Sequence, residues 1–294
     1  MTTHAETSDS TEFVTPSLLR SWPLPAVGDS KYGRGQVLVL GGAAGTPGAA
    51  LLAGLAVLRV GAGHLTFGVA QSTAVALAIA VPESGVVGLP QNKKGSVLGH
   101  DLSALADSVA GVDVILVGPG LDDADETAAL MRALIPMLED ETQVVLDAYA
   151  LGALSAEPEL AETLADKLVL TPNTSEASRL LGREVDDLED DIAEIARRYG
   201  AVVSCQSATA DPSGQRWVIT SGQSGLATSG SGDVLAGAIA GLLARGADAA
   251  QATCWGTHLH AAAGDRLAAR VGGVGFLARE LLDELPAVLV ELGG

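Results

Sequence analysis

From residue 36 onward the chain alternates short apolar runs with longer Ala- and Leu-rich segments. Residues 36–40, 64–69, 112–117, 143–147, 167–171 and 201–204 are mostly near-continuous apolar stretches, short enough to be strands buried on both faces. Between them, residues 47–61, 123–138, 174–181 and 188–199 read as helices, the last two introduced by capping-type residues. This alternation is what βαβ units and a parallel sheet require. The turn residues Asp211, Pro212, Ser213 and Gly214 lie inside residues 209–220, which therefore predict a hairpin. Three further helices are expected over 231–243, 248–271 and 276–285, and no internal repeat is visible. The expected fold is α/β, with a central, mostly parallel sheet and helices on both faces.

Composition sharpens this picture. With 48% hydrophobic but only 3% aromatic residues, the core must be built from Ala, Val, Leu and Ile, which suits helices packed on a parallel sheet. Residues 1–30 are rich in Ser, Thr, Glu and Pro and read as a flexible or docking N-terminal segment, leaving 31–294 as one domain. Acidic residues outnumber basic ones 36 to 17, and a formal charge of −19 repels nucleic acid and anionic lipid. A nucleotide can still bind, because local backbone N–H groups and helix dipoles outweigh net charge at short range. No apolar leader or membrane-length run is present, and Cys205 and Cys254 show no metal-type spacing, so a reducing cytoplasm is the expected compartment.

The sharpest chemical feature is the run from Ser224 to Asp233, with Gly225, Gly230 and Gly232, leading directly into the apolar Val234-Leu235-Ala236-Gly237. Glycines let a loop turn its N–H groups toward one point, and the new helix adds its positive end there, so a phosphate fits. Asp233 in the first turn can accept a proton from a hydroxyl beside a transferring phosphoryl group. A plain helix-start residue, favoured by capping and dipole, would occupy the same position. A second Gly-rich turn, from Gly41 to Ala50, follows a strand and opens a helix, yet it lacks both GxGxxG spacing and a P-loop Lys. Three more strand ends carry small or polar clusters: Gly118-Pro119-Gly120, Asp147-Ala148-Tyr149, and Thr171 to Glu176, where Thr174 and Glu176 read as capping residues. Clusters at successive strand ends of one sheet converge on one crevice.

Taken in this order, the segments resemble the ADP- or ATP-dependent NAD(P)H-hydrate dehydratases of the ribokinase-like superfamily. The likeness runs from about residue 31 to the end and rests on Lys31-Tyr32-Gly33-Arg34-Gly35, the Gly41 to Ala50 turn, Val117 to Leu121, Leu146-Asp147-Ala148, Leu170-Thr171-Pro172, the Gly225 to Gly237 loop, and His258-Leu259-His260 leading to Ala263-Gly264-Asp265. The resemblance implies a ribokinase-like catalytic domain that phosphorylates the ring hydroxyl of the (S)-hydrate of NADH or NADPH and then expels phosphate, restoring the reduced dinucleotide. It implies ADP or ATP as co-substrate, Mg2+ as cofactor and a homo-oligomer. It further implies that Ala49, Gly120, Asn173 and Asp233 contact the hydrate, that Cys205, Gln206, Ser207, Gly230, Ser231 and Gly232 hold the nucleotide, and that Asp233 is the catalytic base.

Three positions depart from the family pattern. Cys205 stands where a Lys is usual, Asn173 where a His is usual, and Tyr149 where a second Asp is usual. The first removes a cation beside phosphate, and the second exchanges an imidazole for an amide. The alternatives therefore stay open: a ribokinase-type kinase of a small alcohol, or a nucleotide-binding protein with little turnover. His258 and His260 lie on a predicted helix without ligand-spaced partners and read as packing or capping residues. Cys205 reads equally as a small apolar filler at a strand end.

Overall fold

The computed structural model describes residues 11–222 and 224–294. Ten strands form one sheet: β1 (Thr11–Val14), β2 (Gln36–Leu40), β3 (His64–Ala70), β4 (Gly85–Leu89), β5 (Val114–Val117), β6 (Gln143–Leu146), β7 (Leu168–Leu170), β8 (Ala201–Cys205), β9 (Ala208–Ala210) and β10 (Arg216–Ile219). The helices are α1 (Pro16–Ser21), α2 (Pro47–Arg59), α3 (Gln71–Ala80), α4 (Ala106–Val109), α5 (Ala124–Leu134), α6 (Tyr149–Ala156), α7 (Thr174–Leu181), α8 (Leu188–Tyr199), α9 (Ser231–Ala244), α10 (Ala249–Val271) and α11 (Ala278–Leu292). Strand order is β1-β10-β9-β8-β7-β6-β5-β2-β3-β4. All pairings are parallel except those of β9, which runs antiparallel to β8 and β10 as the hairpin reading requires.

The central strands β2, β5, β6, β7 and β8 are mostly apolar because both faces are covered. Along β2, Val37 and Val39 enter the core under α2, α9, α10 and α11, while Leu38 and Leu40 enter the core under α5, α6, α7 and α8. Full burial of one such side chain contributes about 1.5–3 kcal/mol. From β2 the chain builds outward through β3 and β4, then returns to lay β5 on the opposite flank of β2 and continues to β8. The reversal puts a crevice beyond the carboxyl ends of β2 and β5.

Several elements differ from the sequence reading. The sequence pattern does not predict β1, β4, α1, α3, α4 or α6. The α3 segment lacks a polar face, leaving Val75 and Ile79 exposed, so it shows no amphipathic period. In β4, Gly85 and Gly88 interrupt the apolar run. The helix expected over 123–138 ends at Leu134 and gives way to a tighter turn, Ile135–Met137, around Pro136. The last helix passes through Pro286 to Leu292 instead of stopping before the proline. Residues 11–22 are docked: β1 pairs with β10, Leu19 is buried, and the Trp22 carbonyl accepts from Trp255 Nε1 and Gln251 Nε2. Residues 1–10 of the predicted N-terminal segment lie outside the described residues. Among the described residues, no helix is long and apolar enough to cross a membrane.

Candidate active site

The site begins where the two switch-point strands end. After β2, Gly42 N–H donates to the Pro119 carbonyl (2.9 Å), and Ala43 N–H (2.8 Å) and Thr46 Oγ1 (2.7 Å) donate to the Gly120 carbonyl. These loops approach too closely for side chains: a Cβ on Gly41 would strike the Pro119 carbonyl, and one on Gly120, at φ +76°, the Thr46 carbonyl. Thr46 is the residue before α2, but its hydroxyl is spent on Gly120, so no side chain caps the helix. The first N–H groups of α2 therefore lack a side-chain acceptor.

Helix α9 starts in the same way. Its cap position is Gly230, in the left-handed region at φ +91°, with no side-chain cap. The two helices lie side by side and parallel: Gly237 sits against Ala53 and Gly241 against Val57, so closely that a Cβ on either glycine would clash with the α2 backbone. One turn back, that register brings Ala49 level with Asp233. Two uncapped positive helix ends thus open together at the crevice. No atom lies within 4 Å of where a Cβ on Gly232 would stand, nor on Gly45 or Gly48, so these glycines face open space.

Asp147, Asp233 and Glu176 are linked electrostatically, the last two acting on the first. Burial pushes Asp233 up to about 6. Asp147, at the end of β6, is pushed up to about 7, first by burial and then by the charges of Asp233 and Glu176. One Asp147 oxygen accepts from Thr171 Oγ1 at 2.9 Å, and the following Ala148 adopts φ +50°, an uncommon conformation for a residue with a side chain. Glu176 is raised by burial and restrained by the Asn173 N–H and by Arg179. Asp147 thus holds its proton to higher pH than Asp233 does.

The remaining predicted residues fall into distinct roles. Ala49 and Gly120 come together, since a Cβ on Gly120 would lie 3.2 Å from the Ala49 methyl. Asn173 is the N-cap of α7: its Oδ1 accepts from Glu176 N–H (3.0 Å) while Glu176 Oε2 accepts from Asn173 N–H (2.9 Å). Thr174, read from sequence as a cap, is instead the first helical residue. Cys205 is fully buried in the core under α5 to α8, and Gln206, at φ +53°, and Ser207 form the two-residue turn between β8 and β9. His260, read from sequence as packing, bonds through Nε2 to Ser231 Oγ at 2.8 Å, on the first residue of α9. Among the described residues no three His, Cys, Asp or Glu side chains are grouped to hold a metal.

Burial pushes the Cys205 thiol up to about 12 and Cys254 upward as well. Both stay protonated at neutral pH, and the thiolate is the reactive form. A thiol-reactive dye should therefore label neither cysteine in the native protein and both after denaturation. Rapid labelling of the folded chain would contradict the burial of Cys205.

The family model of the NAD(P)H-hydrate dehydratases matches residues 37–287. The chain belongs to this family. It is 44% identical over 287 residues to the ADP-dependent (S)-NAD(P)H-hydrate dehydratase of Xanthomonas campestris pv. campestris, covering 95% of this chain and 96% of that one. It spans about half the length of the bifunctional NAD(P)H-hydrate repair enzymes it also matches. The ADP/ATP-dependent NAD(P)H-hydrate dehydratase of Bacillus subtilis, co-crystallised with ATP and Mg2+, matches with a TM-score of 0.77 at 25% identity, covering 96% of this chain and 99% of that one. A ribokinase-like superfamily protein of Enterococcus faecalis shares the fold at a TM-score of 0.83 and 23% identity, over 99% of both chains.

Proposed function

We propose that the chain dehydrates the (S)-hydrate of NADH or NADPH, using ADP or ATP as phosphoryl donor and restoring the reduced dinucleotide. The observation that carries the reading is the half-buried Asp233 carboxylate at the uncapped start of α9, level with the uncapped start of α2. In this reading the N–H groups of Gly232 and Asp233 receive the terminal phosphate of the nucleotide, with Gly230 and Ser231 shaping the turn, the Ser231 N–H itself donating to the Thr228 carbonyl. Gln206 and Ser207 border the nucleotide's other side, Cys205 contributing no more than backbone because its thiol is buried in the core, and Ala49, Gly120 and Asn173 border the hydrate.

Asp233 accepts the proton of the ring hydroxyl as that oxygen bonds to the terminal phosphorus and the bond to the bridging oxygen breaks. The phosphorylated ring then loses phosphate from its carbon, and the neighbouring carbon gives up a proton as the ring double bond forms. ADP would leave as AMP, and ATP as ADP. Magnesium fits this site only as an ion borne on the nucleotide phosphates and water, with one or two carboxylates at most, which is how it usually binds such substrates. There it would neutralise charge on the transferring group. A cytoplasmic homo-oligomer is part of the proposal, supported by the exposed Val75 and Ile79 on α3 beside the open edge of β4.

A second reading rests on Asn173, whose side-chain oxygen is committed to capping, and on buried Cys205 in place of a Lys: a nucleotide-binding protein with little turnover. Incubation with hydrated NADH and with hydrated NADPH, each with ADP or ATP and magnesium, decides between them. Return of the near-ultraviolet absorbance of the reduced nicotinamide with equimolar phosphate is the expected result. A stable phosphomonoester would replace the proposal by a kinase, and nucleotide binding without either product by a binding protein.

A further inference from the structure

The Ser231 hydroxyl stands at the first residue of α9, where a serine side chain readily turns back onto free backbone N–H groups. It does not do so here. Ser231 Oγ is bonded instead to His260 Nε2 at 2.8 Å, and both side chains are buried. The cap position before it is glycine and has no side chain to offer. The start of α9 therefore has no side-chain cap: Gly230 has no acceptor to offer, and the Ser231 hydroxyl is held by a histidine from α10.

The helix that supplies His260 also fixes the loops on either side. Thr257 Oγ1 pairs with Ser204 Oγ at 2.9 Å in β8, and Asp265 Oδ2 accepts from Gly222 N–H at 3.0 Å just before the anion loop. Successive turns of α10 thus hold the end of the hairpin, the start of α9 and the entry to the loop. Burial pushes His260 down to about 4, against the opposing effect of a bond to the Ser231 backbone, so the ring is neutral at physiological pH. A neutral ring places no fixed charge behind the loop while Nε2 stays bonded to the hydroxyl.

We infer that His260 is a positioning residue for nucleotide binding: by engaging Ser231 Oγ it keeps that hydroxyl off the N–H groups of Gly232 and Asp233, leaving them for the terminal phosphate of a nucleoside di- or triphosphate. The inference rests on the reading that the nucleotide lies at this helix start, and does not need the hydrate to be the second substrate.

The test compares His260→Leu with His260→Gln, whose amide can reach Ser231 from a similar distance. Calorimetry with ADP and with ATP is the first measurement, and steady-state kinetics with the hydrate the second. His260→Leu should weaken nucleotide affinity by about tenfold, the scale of losing one hydrogen bond to a charged group, while the KM for the hydrate changes little. His260→Gln should recover most of the affinity. Ser231→Ala combined with His260→Leu should be no worse than the single His260→Leu, because both act through one contact. Unchanged nucleotide affinity in a folded His260→Leu protein overturns the inference, as does equal loss in the Gln variant or an additive double variant. Should wild type bind nucleotide yet leave the hydrate untouched, the proposed function falls while the calorimetric test of His260 still decides this inference.

Discussion

Asp233→Asn should lower kcat by roughly 100- to 10,000-fold, the usual range for loss of a general base, with nucleotide affinity largely retained. The amide keeps the size of the carboxylate and its place in the first turn of α9, but cannot take a proton. Burial holds Asp233 at about 6, and the carboxylate must be ionised to act, so kcat/KM should climb as pH rises through about 6 and level off above it. Asp147 titrates at about 7 and so still carries its proton across that limb. Asp147→Asn should consequently leave the limb near 6, whereas Asp233→Asn should remove it from the residual rate. Steady-state rates from pH 5 to pH 8 on the three proteins give the comparison. A rate for the Asp233→Asn protein within a few-fold of wild type would move the base to another residue.

The part of the fold that could be read from sequence is the part where local pattern and tertiary burial agree. The β5 and β7 runs are apolar at every position, and β2, β6 and β8 at all but one, because both sheet faces are covered, and that is visible without coordinates. Helix α3 has no such agreement: its exposed Val75 and Ile79 erase the period that marks a surface helix. The register of α2 on α9 was equally hidden. Gly237 and Gly241 read only as helical residues until their contact with Ala53 and Val57 shows why a side chain is excluded.

The candidate site divides along the same line. Asp233 and its glycines were legible because phosphate loops use one contiguous segment. His260 and Ser231 are 29 residues apart, and no local spacing joins them. The high proton affinity of Asp147 comes from burial and from carboxylates on two other elements, so a strand-end Asp gives no warning of it. The Asn173 departure is visible in the sequence, but the reciprocal cap it forms with Glu176 reads there one residue too late, at Thr174.

Gly232→Val should abolish measurable nucleotide binding in a protein that remains folded. The reasoning turns on what surrounds that glycine. Gly41, Gly120 and Gly237 are glycines for reasons internal to the fold, since a Cβ at each would collide with backbone. Gly232 is different: its φ lies outside the left-handed region, and nothing stands within 4 Å of the Cβ position. A side chain there costs the unliganded protein little, because an exposed site away from packed contacts usually changes stability by no more than about 0.5 kcal/mol. Alanine should even add about 0.5–1 kcal/mol, as glycine in a helix is entropically costly. The space is needed only when a phosphate lies against the helix start. Affinity and stability should therefore move in opposite directions, with Gly232→Ala melting no lower than wild type while binding ADP about tenfold more weakly, roughly 1.4 kcal/mol, and Gly232→Val losing binding altogether. Melting curves and calorimetry on the same three samples provide both numbers. A Gly232→Val protein that melts normally and binds ADP with unchanged affinity would take the phosphate away from α9, and with it the role of Asp233 as the base beside it.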